Sequence, residues 1–239
     1  MKIMTFNIQH ALDYINKVID IDLFADSIAR LGPDICGLNE VRGEGALDGY
    51  TDQTNAIADR IDRQRYFAEA IKVRGVGPYG NALVTKYPII SAETVAIPDP
   101  AVKREGGRYE SRCVLKAVLD VDGHELCVLV CHMGLVDDEA RNAVSTICDI
   151  LDSCELPTVL MGDFNLTPDS ELLAPLYARL SDTDAVAAVP GAPTFPSDLP
   201  RIKIDYIFYR GLHCRSVTTI EEVISDHLPI AAEFDFLNK

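Results

Sequence analysis

The chain has 239 residues, with 22 Lys+Arg against 37 Asp+Glu and a formal net charge of −15. Hydrophobic residues at 48% and charged residues at 25% are ordinary for a globular protein, and a chain of this length buries roughly 70% of its unfolded surface without needing a disulfide or structural metal. The acidic balance argues against long duplex nucleic acid as the main partner, because duplex binding rests on Lys and Arg meeting phosphates, and against a polybasic membrane anchor. A small anionic substrate held through a metal ion stays open, since the ion supplies the positive charge.

Seven cysteines occur, at 36, 113, 127, 131, 148, 154 and 214. Their number is odd, no CxxC is present and several lie in apolar runs. Free buried thiols in a reducing, cytoplasmic setting are the simplest reading. The opening MKIMTFNIQH is too short in apolar residues for a signal peptide, and no run reaches the ~18–20 apolar residues of a membrane span. No linker interrupts the pattern, so one domain over residues 1–239 and a monomer are expected.

In chain order, Lys2–Asn7 reads as a strand and Asp20–Arg30 as an amphipathic helix stopped by Gly32-Pro33. Asp34–Leu38 reads as a buried strand ending on Asn39-Glu40, and Asn55–Arg63 as a helix. Tyr66–Ile71, Ala82–Lys86 and Ile89–Ile97 read as strands. Residues 98–111 read as loop. Arg112–Val121 and Glu125–Cys131 read as a hairpin around Asp122-Gly123. Asp137–Leu151 is the clearest helix, with acidic residues in its first turn. Thr158–Met161 reads as a buried strand, Ser170–Leu180 as helix kinked by Pro175, and residues 189–200 as ordered loop. Ile202–Tyr209, Arg215–Ile220 and Pro229–Phe236 read as closing strands. Hairpins mixed with helices give an α/β protein whose sheets cannot be purely parallel.

Polar residues stand at the ends of apolar strands: Asn7, Glu40, His132, Asp163 with Asn165, and Asp226-His227 before the last strand. Asp205 is read inside the strand IKIDYIFY, where a lone carboxylate is costly unless paired; an ion pair with Arg201 or Lys203 is the structural alternative. Asn7, Glu40, Asp163, Asn165 and Asp226 offer the oxygen ligands that hard cations such as Mg²⁺ take. His132 and His227 add proton transfer or charge stabilisation. Asn81 either lines the pocket, binding substrate, or holds a turn. His10 stands either at a substrate rim or on the surface. Lys103, Arg104, Arg108 and Arg112 are the densest cations, enough for one phosphate or a short anionic tail.

The blocks TFNIQH, DICGLNEV, YGNALVTKYPI, VCHMGL, MGDFN, IDYIFY and SDHLPI fall in an order that resembles the endonuclease/exonuclease/phosphatase superfamily, from residue 3 to about 235. The resemblance implies a four-layer α/β sandwich of two mixed sheets packed face to face with helices outside. It implies metal-dependent attack of water on a phosphoester, with Mg²⁺ as cofactor and Mn²⁺ as the alternative. Carried over by motif, Glu40 is the primary metal ligand, with Asn7 beside it and Asp226 as a further carboxylate. Asp163 orients the water, Asn165 donates to the phosphoryl group, and His227 is the catalytic histidine oriented by Asp205. His132 matches the phosphate-contacting histidine of the sphingomyelinase-like and 5-phosphatase-like branches. Glu110-x-Arg112 resembles a pair in small bacterial members and makes Arg112 a substrate-binding candidate.

Two departures stand out. Asn39 replaces the Gln of the LQE found in many relatives, and Gln9 stands where AP endonucleases carry Asp. The reading is a phosphoesterase acting on a small phosphodiester or phosphomonoester. The alternatives are a nuclease for single-stranded or short nucleic acid, disfavoured by the charge and the absence of Trp, and an inactive binding module on the same fold.

Overall fold

Near-continuous apolar runs in the central strands give two sheets whose centres are buried on both faces. The computed structural model describes residues 1–103 and 105–237. The first sheet contains β1 (Lys2–Asn7), β2 (Ile35–Arg42), β3 (Gln64–Val73), β4 (Gly77–Thr85), β11 (Leu212–Thr219) and β12 (Ile230–Phe236). Its order is β11-β12-β1-β2-β4-β3. The second contains β5 (Ile89–Ile97), β6 (Arg112–Val121), β7 (His124–His132), β8 (Thr158–Asp163), β9 (Ser181–Asp182) and β10 (Asp205–Arg210), in the order β5-β6-β7-β8-β10-β9. β1 runs parallel to β2 and β7 parallel to β8, while the other neighbours are antiparallel. Each parallel pair is joined through a helix, α1 (Ile21–Leu31) and α3 (Asp137–Asp152), as a crossover requires.

The apolar residues separate into three layers. Ile3, Ile35, Leu83, Leu115, Val130 and Met161 pack between the sheets. Met4, Phe6, Leu38 and Ile57 pack the first sheet against α1 and α2 (Gln53–Arg60). Leu129, Leu160, Ile147 and Phe208 pack the second against α3. This is the expected four-layer α/β sandwich of two mixed sheets. Among the described residues no helix is long and apolar enough to cross a membrane. All seven cysteines are free thiols, six of them buried.

Several boundaries move for local reasons. α2 begins at Gln53, two residues before the predicted start, because the Asp52 side chain caps it by accepting from the Asn55 N–H at 2.9 Å. β2 does not stop at Leu38. It continues to Arg42 through a bulge in which Glu40 takes φ 59°. The predicted helix 170–180 is a 3-10 turn, Glu171–Leu173, followed by the single turn α4 (Ala174–Tyr177), with Pro175 in its first positions. The strand expected from Ile202 begins only at Asp205.

Candidate active site

The site grows out of the inter-sheet stripe. Ile3 and Ile35 face the other sheet from β1 and β2, and Val130, Met161 and Ile207 face it from β7, β8 and β10. Alternation carries the same face on to Asn7, Asn39, His132, Asp163 and Asp205. Register completes the convergence: Asn7 lies beside Asn39, His132 beside Asp163, and Asp163 beside Asp205. The stripe is apolar along its length and turns polar at one end, where the crossover connections leave the sheets. All five polar residues are buried.

Asp163 is the focus. Its Oδ2 accepts from Asn7 Nδ2 at 3.0 Å and lies 3.5 Å from His132 Nε2 and 3.6 Å from His227 Nε2. Its Oδ1 accepts the Asn165 N–H at 2.9 Å, with Asn165 at φ 51°. Asn165 also donates from Nδ2 to the Met133 carbonyl at 3.0 Å. His227 Nδ1 is 2.9 Å from Asp205 Oδ2, and its ring packs on Phe195 at 4.9 Å. Asp205 therefore orients His227. Among the described residues neither Arg201 nor Lys203 pairs with Asp205, whose ion-pair partner is His227, and Lys203 bonds Asp182 at 3.3 Å and Asp184 at 3.1 Å. Asp205 opens β10 rather than sitting inside it.

Electrostatics separate the two histidines. Burial pushes both toward the neutral form. For His227 the Asp205 and Asp163 carboxylates outweigh burial and hold the ring protonated well above the usual range. For His132 burial is joined by the Arg112 guanidinium and the His227 cation, which keep it neutral. Burial raises the Asp163 carboxyl, against the pull of His227.

A second group of oxygens lies on the other side of Asn7. Its Nδ2 also reaches Glu40 Oε1 at 3.2 Å, and its Oδ1 accepts the Gln9 N–H at 3.1 Å. Glu40 Oε2 accepts from the Tyr79 hydroxyl at 2.7 Å. Gln9 Nε2 donates to Asp226 Oδ2 at 2.9 Å. Burial raises the Asp226 carboxyl, and the nearby Glu40 charge adds to the rise.

Glu40 and Asp226 are both half-buried and close enough for the charge of one to act on the other, an arrangement that suits a cation between them. Gln9 Oε1 is buried without a hydrogen-bond partner, a further oxygen of the type a hard cation takes. The donor set around Glu40, Asp226 and Asn7 thus fits a hydrated divalent ion. Asp163, Asp205 and His227 also lie close enough together to suit a metal, but His227 Nδ1 is committed to Asp205. That trio is better satisfied by protons than by an ion.

The two expected substrate contacts, Asn81 and Arg112, are both engaged with protein groups. Asn81 accepts from Asn39 Nδ2 at 2.8 Å and donates to the Cys113 carbonyl at 3.1 Å. Both ends of its amide bond the protein, and together with Tyr79, Arg112 and His132 it lines a small pocket. Asn39 donates also to the Cys131 carbonyl and accepts the Asp163 N–H at 3.0 Å. The shorter Asn in place of Gln thereby ties β2 to β7 and β8 directly beneath Asp163. Arg112 points inward, with Nη1 at 3.1 Å from His132 Nδ1 and Nη2 at 3.1 Å from Glu110.

The expected basic cluster is not an open patch. Lys103 pairs with Asp99 at 3.0 Å and Arg108 with Glu110 at 3.2 Å, while Arg104 lies outside the described residues. Sequence reasoning missed Tyr79 and the Gln9–Asp226 bond. The Gln9 departure was the one available signal for the latter. Tyr79 carries none, since only the β2–β4 pairing brings it to Glu40.

Three solved structures illustrate the likeness. An endonuclease/exonuclease/phosphatase family protein from Leptotrichia buccalis C-1013-b superposes with a TM-score of 0.78 at 22% identity, covering 99% of this chain and 100% of that one. A Bacteroides thetaiotaomicron VPI-5482 mannosyl-6-phosphatase gives 0.79 at 14% identity, covering 99% and 100%. The human Nocturnin catalytic domain with bound sulfate gives 0.74 at 19%, covering 99% and 93%. At these identities the likeness is one of fold. No curated protein matches the sequence. The sequence profile described as Endonuclease/Exonuclease/phosphatase family matches residues 4–227. The chain therefore belongs to the endonuclease/exonuclease/phosphatase family, a family of phosphoester hydrolases that depend on divalent metals.

Proposed function

We propose that the chain hydrolyses a small phosphodiester or phosphomonoester by direct attack of water. The observation that carries this reading is the crowding of Asn7, His132 and His227 around one carboxylate oxygen of Asp163. A buried carboxylate with a raised proton affinity is suited to orient a water and accept its proton. His227, held cationic by Asp205, and His132, donating from Nε2, present N–H groups for the equatorial phosphoryl oxygens. Asn165 spends one Nδ2 hydrogen on the Met133 carbonyl and has a second to offer the phosphoryl group. Glu40, with Asp226 and Asn7, is the group that would hold the ion, for which Mg²⁺ is preferred and Mn²⁺ is the alternative. When bound, that ion polarises the phosphoryl oxygen and stabilises the leaving group.

The net charge of −15 and the pairing of Lys103 and Arg108 support a small substrate over a long polyanion. The buried free thiols support a reducing, cytoplasmic setting.

The test is a panel of phosphoesters assayed with Mg²⁺, with Mn²⁺ and in EDTA, with Asp163→Asn as control. Turnover of small esters that needs the metal and is lost in the variant supports the reading. No turnover above the metal-free blank would favour an inactive binding module. Faster cleavage of plasmid DNA than of a dinucleotide-sized ester at equal phosphate, with a steep loss on added salt, would favour a nuclease.

A further inference from the structure

Beyond Glu40 the first sheet opens into a cleft of about 500 Å³ between the loop after β2 and the β3–β4 hairpin. Arg42, Leu47, Tyr50 and Arg74 line it, together with Asp48. The loop is seated on the hairpin: Gly43 donates to the Pro78 carbonyl at 2.9 Å. The Tyr50 ring packs so closely on Gly77 that a Cβ there would approach within 2.7 Å. The Arg42 guanidinium lies 4.7 Å from the Tyr50 ring centroid. It spends one donor on the Gly49 carbonyl at 3.3 Å, and its Nε is buried without a partner.

Several arginines elsewhere in the chain are committed to carboxylates. Arg30, Arg60, Arg65 and Arg179 each hold a carboxylate at 2.6–2.7 Å. Among the described residues, neither Arg42 nor Arg74 forms an ion pair, although Asp48 lines the same cleft. Arg74 stands exposed at the hairpin turn beside Gly75. In a chain of net charge −15, two arginines without ion pairs lining one cleft are suited to an anion, and the guanidinium fork matches phosphate.

The cleft adjoins the site. Arg42 faces Tyr79 across β2 and β4, and the Tyr79 hydroxyl bonds Glu40 at 2.7 Å. Glu40 and Arg42 are two residues apart on one strand. We propose that Arg42 and Arg74 form a subsite for a second phosphate group of the substrate, a few bonds from the phosphate that reacts. This rests on the phosphoesterase reading for its biological sense.

The test compares propane-1,3-diol bisphosphate with propyl phosphate under Mg²⁺, measuring released phosphate. Wild type should show a KM at least about tenfold lower for the bisphosphate. The double variant Arg42→Met/Arg74→Met should lose that advantage and keep wild-type kinetics on propyl phosphate. Arg74→Met alone, at an exposed residue without hydrogen bonds, guards against misfolding and should lose part of the advantage. Equal KM values in wild type, or a preference that survives the double variant, would overturn the subsite. If wild type hydrolyses neither ester, the monoesterase form of the reading fails, and the subsite is judged by NMR. A shift of the Arg42 and Arg74 Nε–H resonances by the bisphosphate and not by propyl phosphate would uphold it; no shift would overturn it.

Discussion

Arg112 Nη1 lies 3.1 Å from His132 Nδ1, and that contact decides which nitrogen of the histidine carries its proton. Arginine has only N–H donors to offer, so Nδ1 is the acceptor and the proton sits on Nε2. Nε2 in turn faces Asp163 Oδ2 at 3.5 Å. His132 is thus a neutral donor aimed into the site, while His227, with Nδ1 on Asp205, is a cationic one. Glu110 holds the other end of the guanidinium, so residues 110–112 act on the site through His132.

Arg112→Met should lower kcat by about 10–100-fold, the usual scale for a residue that orients another functional group. The ¹⁵N shifts of the His132 ring should move away from the Nε2–H pattern in the same variant. An unchanged ring pattern with unchanged kcat would show that Arg112 does not set the tautomer.

Removal of the ion should abolish activity, with Mg²⁺ or Mn²⁺ restoring it after exhaustive dialysis against EDTA. Glu40→Gln should weaken Mg²⁺ binding by at least about tenfold by calorimetric titration, because a carboxylate is replaced by a neutral amide beside Asp226. Unchanged Mg²⁺ affinity in this variant would place the ion elsewhere.

Stability of the metal-free protein should respond to the two histidines at opposite ends of the pH scale. His132 is depressed in the folded chain, so its contribution is present above the unfolded value of about 6.5 and is lost as the pH falls below it. His227 is raised to about 10, so its contribution is full below about 6.5 and is lost as the pH rises toward 10. Urea unfolding in EDTA should show a flatter acid limb for His132→Gln between pH 6.5 and 5. It should show a flatter alkaline limb for His227→Gln between pH 7.5 and 9.5. Each proton accounts for up to about 1.4 kcal/mol per pH unit. Parallel limbs in all three proteins would contradict the charge states assigned above.

Gly162, the residue before Asp163, adopts φ 143°, and a Cβ there would come within 1.8 Å of the Cys131 carbonyl. Gly162→Ala should cost at least about 2 kcal/mol, measured by chemical denaturation, because the clash is with backbone that cannot step aside. It should also lower activity by displacing Asp163 from its place between the histidines. Wild-type stability in this variant would mean that the β7–β8 pair has more freedom than its register allows.

The sequence by itself determined the layers and the kind of chemistry at their edge. Continuous apolar runs such as LCVLV and TVLM specify strands buried on both faces, and the polar residue closing each run marks where the apolar core gives way to chemistry. Those are local signals, written within a few residues of each other. Tertiary structure decided what each polar group touches. Arg112 was a cation in a loop-and-strand segment until the β6–β7 pairing set it against His132. Tyr79 and Glu40 meet only through the β2–β4 register. Asn81 meets Asn39, 42 positions away, only through the same β2–β4 register. A strand's own residues fix its period but carry no label for its neighbour, and hydrogen bonds between side chains depend on that neighbour to within an ångström.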